Sequence, residues 1–137
     1  MKELVLQAAL DNISKATAFI DEQLELCDCS IKAQMQIDVA IDELFANISS
    51  YAYRDQTESR DVRIRFSYEE GSRMATIVLM DHGIPFNPLD QEDPDTHLPI
   101  EERDIGGLGI FLVKKTMDHM DYRYEEGWNI VTIQKTI

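Results

Sequence analysis

Three groups of residues in this chain have the types and spacing to do chemistry, and a glycine cluster is the plainest of them. In Asp104-Ile-Gly-Gly-Leu-Gly-Ile-Phe-Leu-Val-Lys-Lys-Thr-Met117, the glycines at Gly106, Gly107 and Gly109 run straight into an amphipathic helical pattern. Lacking Cβ atoms, they let the backbone take positive φ and come close to a ligand. The free N–H groups and dipole of a first helical turn favour an anion such as phosphate. The alternative is a loop whose glycines only permit close packing. Glu43 and Asn47 are four residues apart, so on a helix they project one above the other. A carboxylate and a carboxamide so placed can hold a metal ion or orient a water or hydroxyl; on a solvated flank they would do neither. Asp81 ends an apolar run, with Gly83 two residues on. A carboxylate there can accept a hydrogen bond from an amino group of a flat ligand while Gly83 lets the backbone clear it, or it can simply start a turn. His82, His97 and His119 are given no role.

These groups need elements to carry them. Residues 3 to 8 alternate enough for an edge strand, and Asp11 or Asn12 can cap a helix running to about Leu26 with Ile13, Ala16, Phe19 or Ile20 and Leu24 on one face. Ser30 can cap a second, longer helix whose apolar stripe is Ile37, Ile41, Leu44 and Ile48. At about 100° per residue, Glu43 and Asn47 fall on the flank of that stripe. From Asp61 the period changes to two: Val62, Ile64, Phe66 and Tyr68 alternate with polar residues, Gly71 marks a turn, and Ala75 to Met80 is more apolar than the first strand, a hairpin whose second strand lies deeper. After Asp81 comes an acidic loop of more than 20 residues, carrying Asp90, Glu92, Asp93, Asp95, Glu101, Glu102 and Asp104 and punctuated by Pro88, Pro94 and Pro99. Inside a compact domain such a loop is a functional lid or disordered. The third helix has Leu108, Phe111, Leu112 and Met117 apolar. Strands from Tyr122 to Glu126 and Ile130 to Lys135 meet at Gly127. The expected architecture is α+β, a two-layer sandwich of a mostly antiparallel, mixed sheet with three helices on one face.

Composition narrows the function. The 137 residues fit a single domain, 1–137, able to bury a core without disulfides or a structural metal. Thirteen basic against 26 acidic side chains leave a net charge of −13, which repels nucleic acid and anionic membrane surfaces and suits a protein partner with a basic face. Cys27 and Cys29 are too close for an unstrained disulfide and lack further zinc ligands nearby, so reduced thiols are expected. No segment reads as a signal peptide or membrane span, and the expected setting is the cytoplasm.

Taken in order, Glu43-x-x-x-Asn47, Asp81-x-Gly83, an acidic loop and Gly106-Gly-Leu-Gly109 opening a helix resemble the GHKL ATPase and kinase superfamily, with its histidine-kinase-type ATP-binding fold. Within it the chain is most similar to the bacterial anti-sigma-factor serine/threonine kinases, through Asp42-Glu-Leu-Phe-Ala-Asn47 followed by Ala52-Tyr53, the Asp81-x-Gly-x-Pro-Phe-Asn-Pro88 turn, and Gly106-Gly-Leu-Gly-Ile-Phe-Leu-Val-Lys-Lys-Thr-Met-Asp118. The resemblance implies a Mg²⁺- and ATP-dependent protein kinase with Glu43 as general base or orienting group and Asn47 as the metal ligand. It implies Asp81 on the adenine amino group, Gly83 making room for the ring, backbone contacts to phosphate from Gly106, Gly107, Leu108, Gly109 and Ile110, and an ATP lid at 82–105. The implied partners are a sigma factor and an anti-anti-sigma (STAS-type) antagonist phosphorylated on serine, and homodimerisation is expected by family analogy. A nucleotide-binding module that regulates a partner without phosphoryl transfer is the other reading. Two positions depart from the pattern. Tyr51 stands where many relatives have a basic residue or histidine, and Asn129-Ile-Val-Thr132 lacks the usual adenine-facing threonine, so neither contact is carried over. Lys114 and Lys115 read as a solvated or partner-facing edge.

Overall fold

The computed structural model describes residues 1–53, 60–90 and 105–137, with the side chains of 105–108 outside that description. Five strands form one sheet: β1 (Lys2–Gln7), β2 (Asp61–Glu69), β3 (Met74–Asp81), β4 (His119–Glu125) and β5 (Trp128–Thr136). Their order is β1-β2-β3-β5-β4, and every pairing is antiparallel, so the expectation of a mixed sheet is corrected for these strands. Hairpins join β2 to β3 and β4 to β5, which is why sequence neighbours pair. The β4–β5 turn has Glu126 at φ 52° and Gly127 at φ 84°, the two left-handed residues that a tight hairpin turn requires. In the β2–β3 turn the left-handed residue is Arg73 (φ 57°), not Gly71, and the Arg73 backbone carbonyl and side chain tie down the C-terminal Ile137.

The helices α1 (Ile13–Leu26), α2 (Ile31–Asn47) and α3 (Ile105–Thr116) make the second layer, α2 touching both others. Ser30 caps α2 as expected, its hydroxyl accepting from the Ala33 N–H at 3.2 Å. Asn12 sits at the start of α1 but its side chain donates to the Gln7 carbonyl instead of capping. The core lies between the layers: Ile37, Ile41, Leu44 and Phe45 of α2 and Ile20 and Leu24 of α1 pack toward Val62, Ile64, Ile77, Leu79, Val131 and Ile133 of the sheet. In α3 the inward residues are Ile110 and Val113, followed by the buried Met117 just past its end, while Leu112 is 45% exposed. Apolarity alone does not decide which of these residues is buried, because only one stripe of a helix can face a sheet.

Between α1 and α2 two carboxylates meet. Asp38 faces Asp21 with Asp42 nearby, and one oxygen of Asp21 and one of Asp38 are buried with no hydrogen-bond partner among the described residues. Burial first, then the adjoining Asp21 and Asp42, push the Asp38 carboxyl up to about 8. A pKa raised on folding means the folded chain binds the proton more tightly, so this contribution is full below about pH 4 and is lost as pH rises through 8. After discounting for solvent, the span is about 1–2 kcal/mol, or about 3–8 °C of melting temperature between pH 5 and pH 8. Asp38→Asn should flatten that slope; equal slopes in thermal melts of the two proteins would exclude the account.

Candidate functional site

The α2 helix does not stop at Asn47 but loosens into a π-turn over Ile48–Ala52, where the Tyr53 N–H reaches the Ile48 carbonyl at 3.1 Å. Tyr53, fully buried, pins this turn to the sheet: its hydroxyl donates to the Asp61 carbonyl at 2.8 Å and accepts from the His82 N–H at 2.6 Å. Burial pushes that phenol up to about 12. The segment after β3 docks on the same turn. Ile84 N–H donates to the Ala52 carbonyl at 2.9 Å, and a Cβ on Gly83 would fall 2.4 Å from that oxygen. The room made by Gly83 is thus first of all room for the chain's own backbone. Tyr51 stacks on Phe86 with ring centroids 5.1 Å apart, so the aromatic at that departing position holds the loop in place of a charge.

Alternation along β3 puts Ala75, Ile77, Leu79 and Asp81 on the helix-facing side, leaving Asp81 2% exposed at the end of an apolar row. Its Oδ1 accepts from the Gly83 N–H (2.9 Å) and from Asn129 Nδ2 (2.8 Å). Burial raises its carboxyl pKa, and those two donors oppose the rise. Asn129 is the cross-strand neighbour of Asp81 and is 1% exposed. It also donates to the Ile84 carbonyl at 2.9 Å and accepts from Phe86 N–H at 3.1 Å and from the Tyr122 hydroxyl at 2.5 Å. Asn129 is therefore the group that orients Asp81 and shapes the turn to Phe86, a role not assigned from sequence. The signal was present: it is a polar residue in phase with Val131 and Ile133 on the buried face of β5. With Asn129 saturated and Oδ1 of Asp81 filled, Asp81 Oδ2 is the acceptor left for a ligand amino group.

On α2, Glu43 is half-buried and Asn47 is 7% exposed. Burial raises the Glu43 carboxyl above its ordinary range, and the Asn47 amide close by draws it partly back. Asn47 Nδ2 nonetheless has no hydrogen-bond partner of ordinary geometry among the described residues. A buried, unspent carboxamide beside a carboxylate suits a divalent cation arriving with phosphate: Oδ1 is a hard oxygen ligand, and Nδ2 lacks an acceptor that a phosphate oxygen would provide. Among the described residues no group of three or more His, Cys, Asp or Glu could hold a metal by itself. Mg²⁺ fits this sparse donor set, since it keeps waters and phosphate oxygens as its other ligands.

The glycine cluster lies within the first turns of α3, which begins at Ile105, and not in a loop ahead of it. That corrects the expectation of positive φ; at Gly109 it is the missing Cβ that matters. A Cβ on Gly109 would fall 2.2 Å from Oε2 and 2.7 Å from Oε1 of Glu43. The Ile110 side chain is 1% exposed in the core, so only its backbone is available to a ligand. Residues 91–104 of the expected lid, 82–105, lie outside the described residues; 82–90 form the turn just described and a 3₁₀ turn at Pro88–Asp90. Because Glu43 is the far end of a flexible side chain, Gly109→Ala should displace that carboxylate and leave the fold intact. Turnover should fall about tenfold or more while the melting temperature holds or rises slightly, alanine being the better helix former. Unchanged turnover would free Glu43 from this contact.

Gly109 against Glu43 and Gly83 against Ala52 bring two separated segments onto the C-terminal half of α2 and the π-turn that follows it. Residues 6–135 match the Histidine kinase-like ATPase domain family. The chain belongs to that family. Among relatives of this ATPase domain, the serine/threonine-protein kinase BtrW of Bordetella bronchiseptica is 23% identical over 104 residues, covering 76% of this chain and 71% of that protein. The serine-protein kinase RsbW of Bacillus cereus is 23% identical over 136 residues (93% and 73%), and that of Bacillus mycoides 28% over 102 residues, 68% of this chain and 58% of that protein. The two-layer α+β sandwich is the fold of the family, which implies ATP binding. No described helix is long and apolar enough to cross a membrane.

Proposed function

We propose that this chain is an ATP- and Mg²⁺-dependent serine kinase that phosphorylates a STAS-type anti-anti-sigma protein and, as an anti-sigma factor, binds a sigma factor. The observation that carries the reading is the Glu43 carboxylate: half-buried, raised in pKa, and set between Asn47 and the start of α3. In the proposed step the serine hydroxyl oxygen bonds to the γ-phosphorus as the β–γ bridging oxygen leaves with ADP, and Glu43 takes the hydroxyl proton. Asn47 would hold the metal, whose chemistry when bound is neutralisation of phosphate charge. Asp81 Oδ2 would accept from the adenine amino group, and the first N–H groups of α3 would face phosphate. The names of BtrW and RsbW support protein-serine transfer at the level of family.

The test is incubation with γ-labelled ATP and a STAS-type protein from the same genome. The expected product is labelled phosphoserine on that protein, lost on chelating Mg²⁺. Tight ATP binding with no transfer would replace this reading by the regulatory module.

A further inference from the structure

The exposed side of α2 carries a feature that nucleotide chemistry does not use. Ile31 (79% exposed), Met35 (63%) and Val39 (46%) are spaced by four, and the next steps along the same row are Glu43 and Asn47. Across from them Leu112 of α3 is 45% exposed. Met35, Gln36, Val39, Leu112 and Thr116 line an apolar groove of about 180 Å³. Gln36 and Thr116 also line an adjoining cleft of about 430 Å³ that contains Lys32, Lys115 and Lys135, with Asp118 the single acid. Lys135 Nζ donates to the Thr116 carbonyl at 2.6 Å, and Asp118 accepts from the Thr136 N–H at 2.6 Å. In a chain of net charge −13, lysines gathered at the end of an apolar groove mark where negative charge is welcome.

We propose that the α2–α3 groove docks the protein substrate, through an amphipathic segment that seats apolar side chains among Met35, Val39 and Leu112 and acidic ones against Lys32 and Lys115. The proposal rests on the kinase reading above. At a rise of about 1.5 Å per residue, Val39 and Met35 lie about 6 and 12 Å along the axis from Glu43. A substrate anchored there is held one or two helical turns from the carboxylate and can present its hydroxyl at Glu43, so remote binding does the positioning that phosphoryl transfer requires. The i, i+4 row beside a facing helix is the geometry of a helix-in-groove contact.

The experiment is steady-state transfer to the same STAS-type protein by Met35→Ser/Leu112→Ser and by Lys32→Glu/Lys115→Glu, with calorimetric binding of that protein in parallel. All four residues are on the surface, and thermal melts report folding. The expected result is a KM for the protein raised about tenfold or more in both variants, with kcat and Mg-ATP affinity unchanged, and a flatter salt dependence of KM in the charge variant. An unchanged KM overturns the proposal and leaves the kinase reading standing. Binding that the variants weaken, in an unmodified chain that transfers nothing, retains the docking surface and removes the kinase reading. A change in Mg-ATP affinity alone would assign the groove to the chain's own lid, a change in sedimentation mass alone to a second copy, and absence of any binding to neither; each overturns it.

Discussion

Glu43→Gln is expected to lower phosphoryl transfer by about 10²–10⁴-fold while changing Mg-ATP affinity by less than about threefold. Glutamine keeps the shape that packs against Gly109 and the neighbourhood of Asn47, so the loss would report the missing base and not a disturbed helix. The pH profile of the unmodified protein carries the same information. A base acts when deprotonated, and burial holds this carboxyl above its ordinary pKa. The acidic limb of the rate should therefore fall at a pH higher than an exposed glutamate would give, and should vanish with the residual activity of Glu43→Gln. Full activity in the variant, measured with labelled ATP, would remove Glu43 from the reaction.

Asp81→Asn is expected to weaken Mg-ATP binding about 100-fold, equivalent to about 2.8 kcal/mol, without unfolding the chain. The amide keeps an oxygen for Gly83 N–H and Asn129 Nδ2, so the turn retains its acceptor. What changes is the other atom: Oδ2 becomes an N–H donor and, at the proposed adenine site, would meet the amino group donor to donor. The same swap should shift preference toward inosine triphosphate, which has a carbonyl where adenine has the amino group. Because burial raises the Asp81 pKa in the fold, replacing it by a neutral isostere should hold or raise the melting temperature near pH 7. Equal fluorescence titrations for the two proteins would place the base elsewhere.

Much of this was legible in one dimension because the elements obey simple periods. The stripe Ile37, Ile41, Leu44 and Ile48 is buried as its spacing requires, Ser30 caps α2, and both hairpins close where turn residues fall. Glu43, Asn47 and Asp81 were identifiable because a polar residue beside or at the end of an apolar row stands out against the pattern. Other features were not legible. Arg73 rather than Gly71 takes the left-handed position, since the conformation of a turn depends on where its flanking strands must register. Leu112 faces outward because a helix with apolar residues on several sides buries only the stripe its neighbours cover.

The amino-acid sequence by itself determined which segments are helix and strand and which polar side chains interrupt their apolar faces, since both follow from interactions within a few residues. Tertiary structure alone decided that Gly109 must lack a side chain for the sake of Glu43, Gly83 for the sake of Ala52, and that Asn129 sets the orientation of Asp81. Those are contacts between residues 31, 48 and 66 positions apart, and only the packing of α3 on α2, the docking of the segment after β3 on the π-turn and the pairing of β3 with β5 bring their atoms within reach.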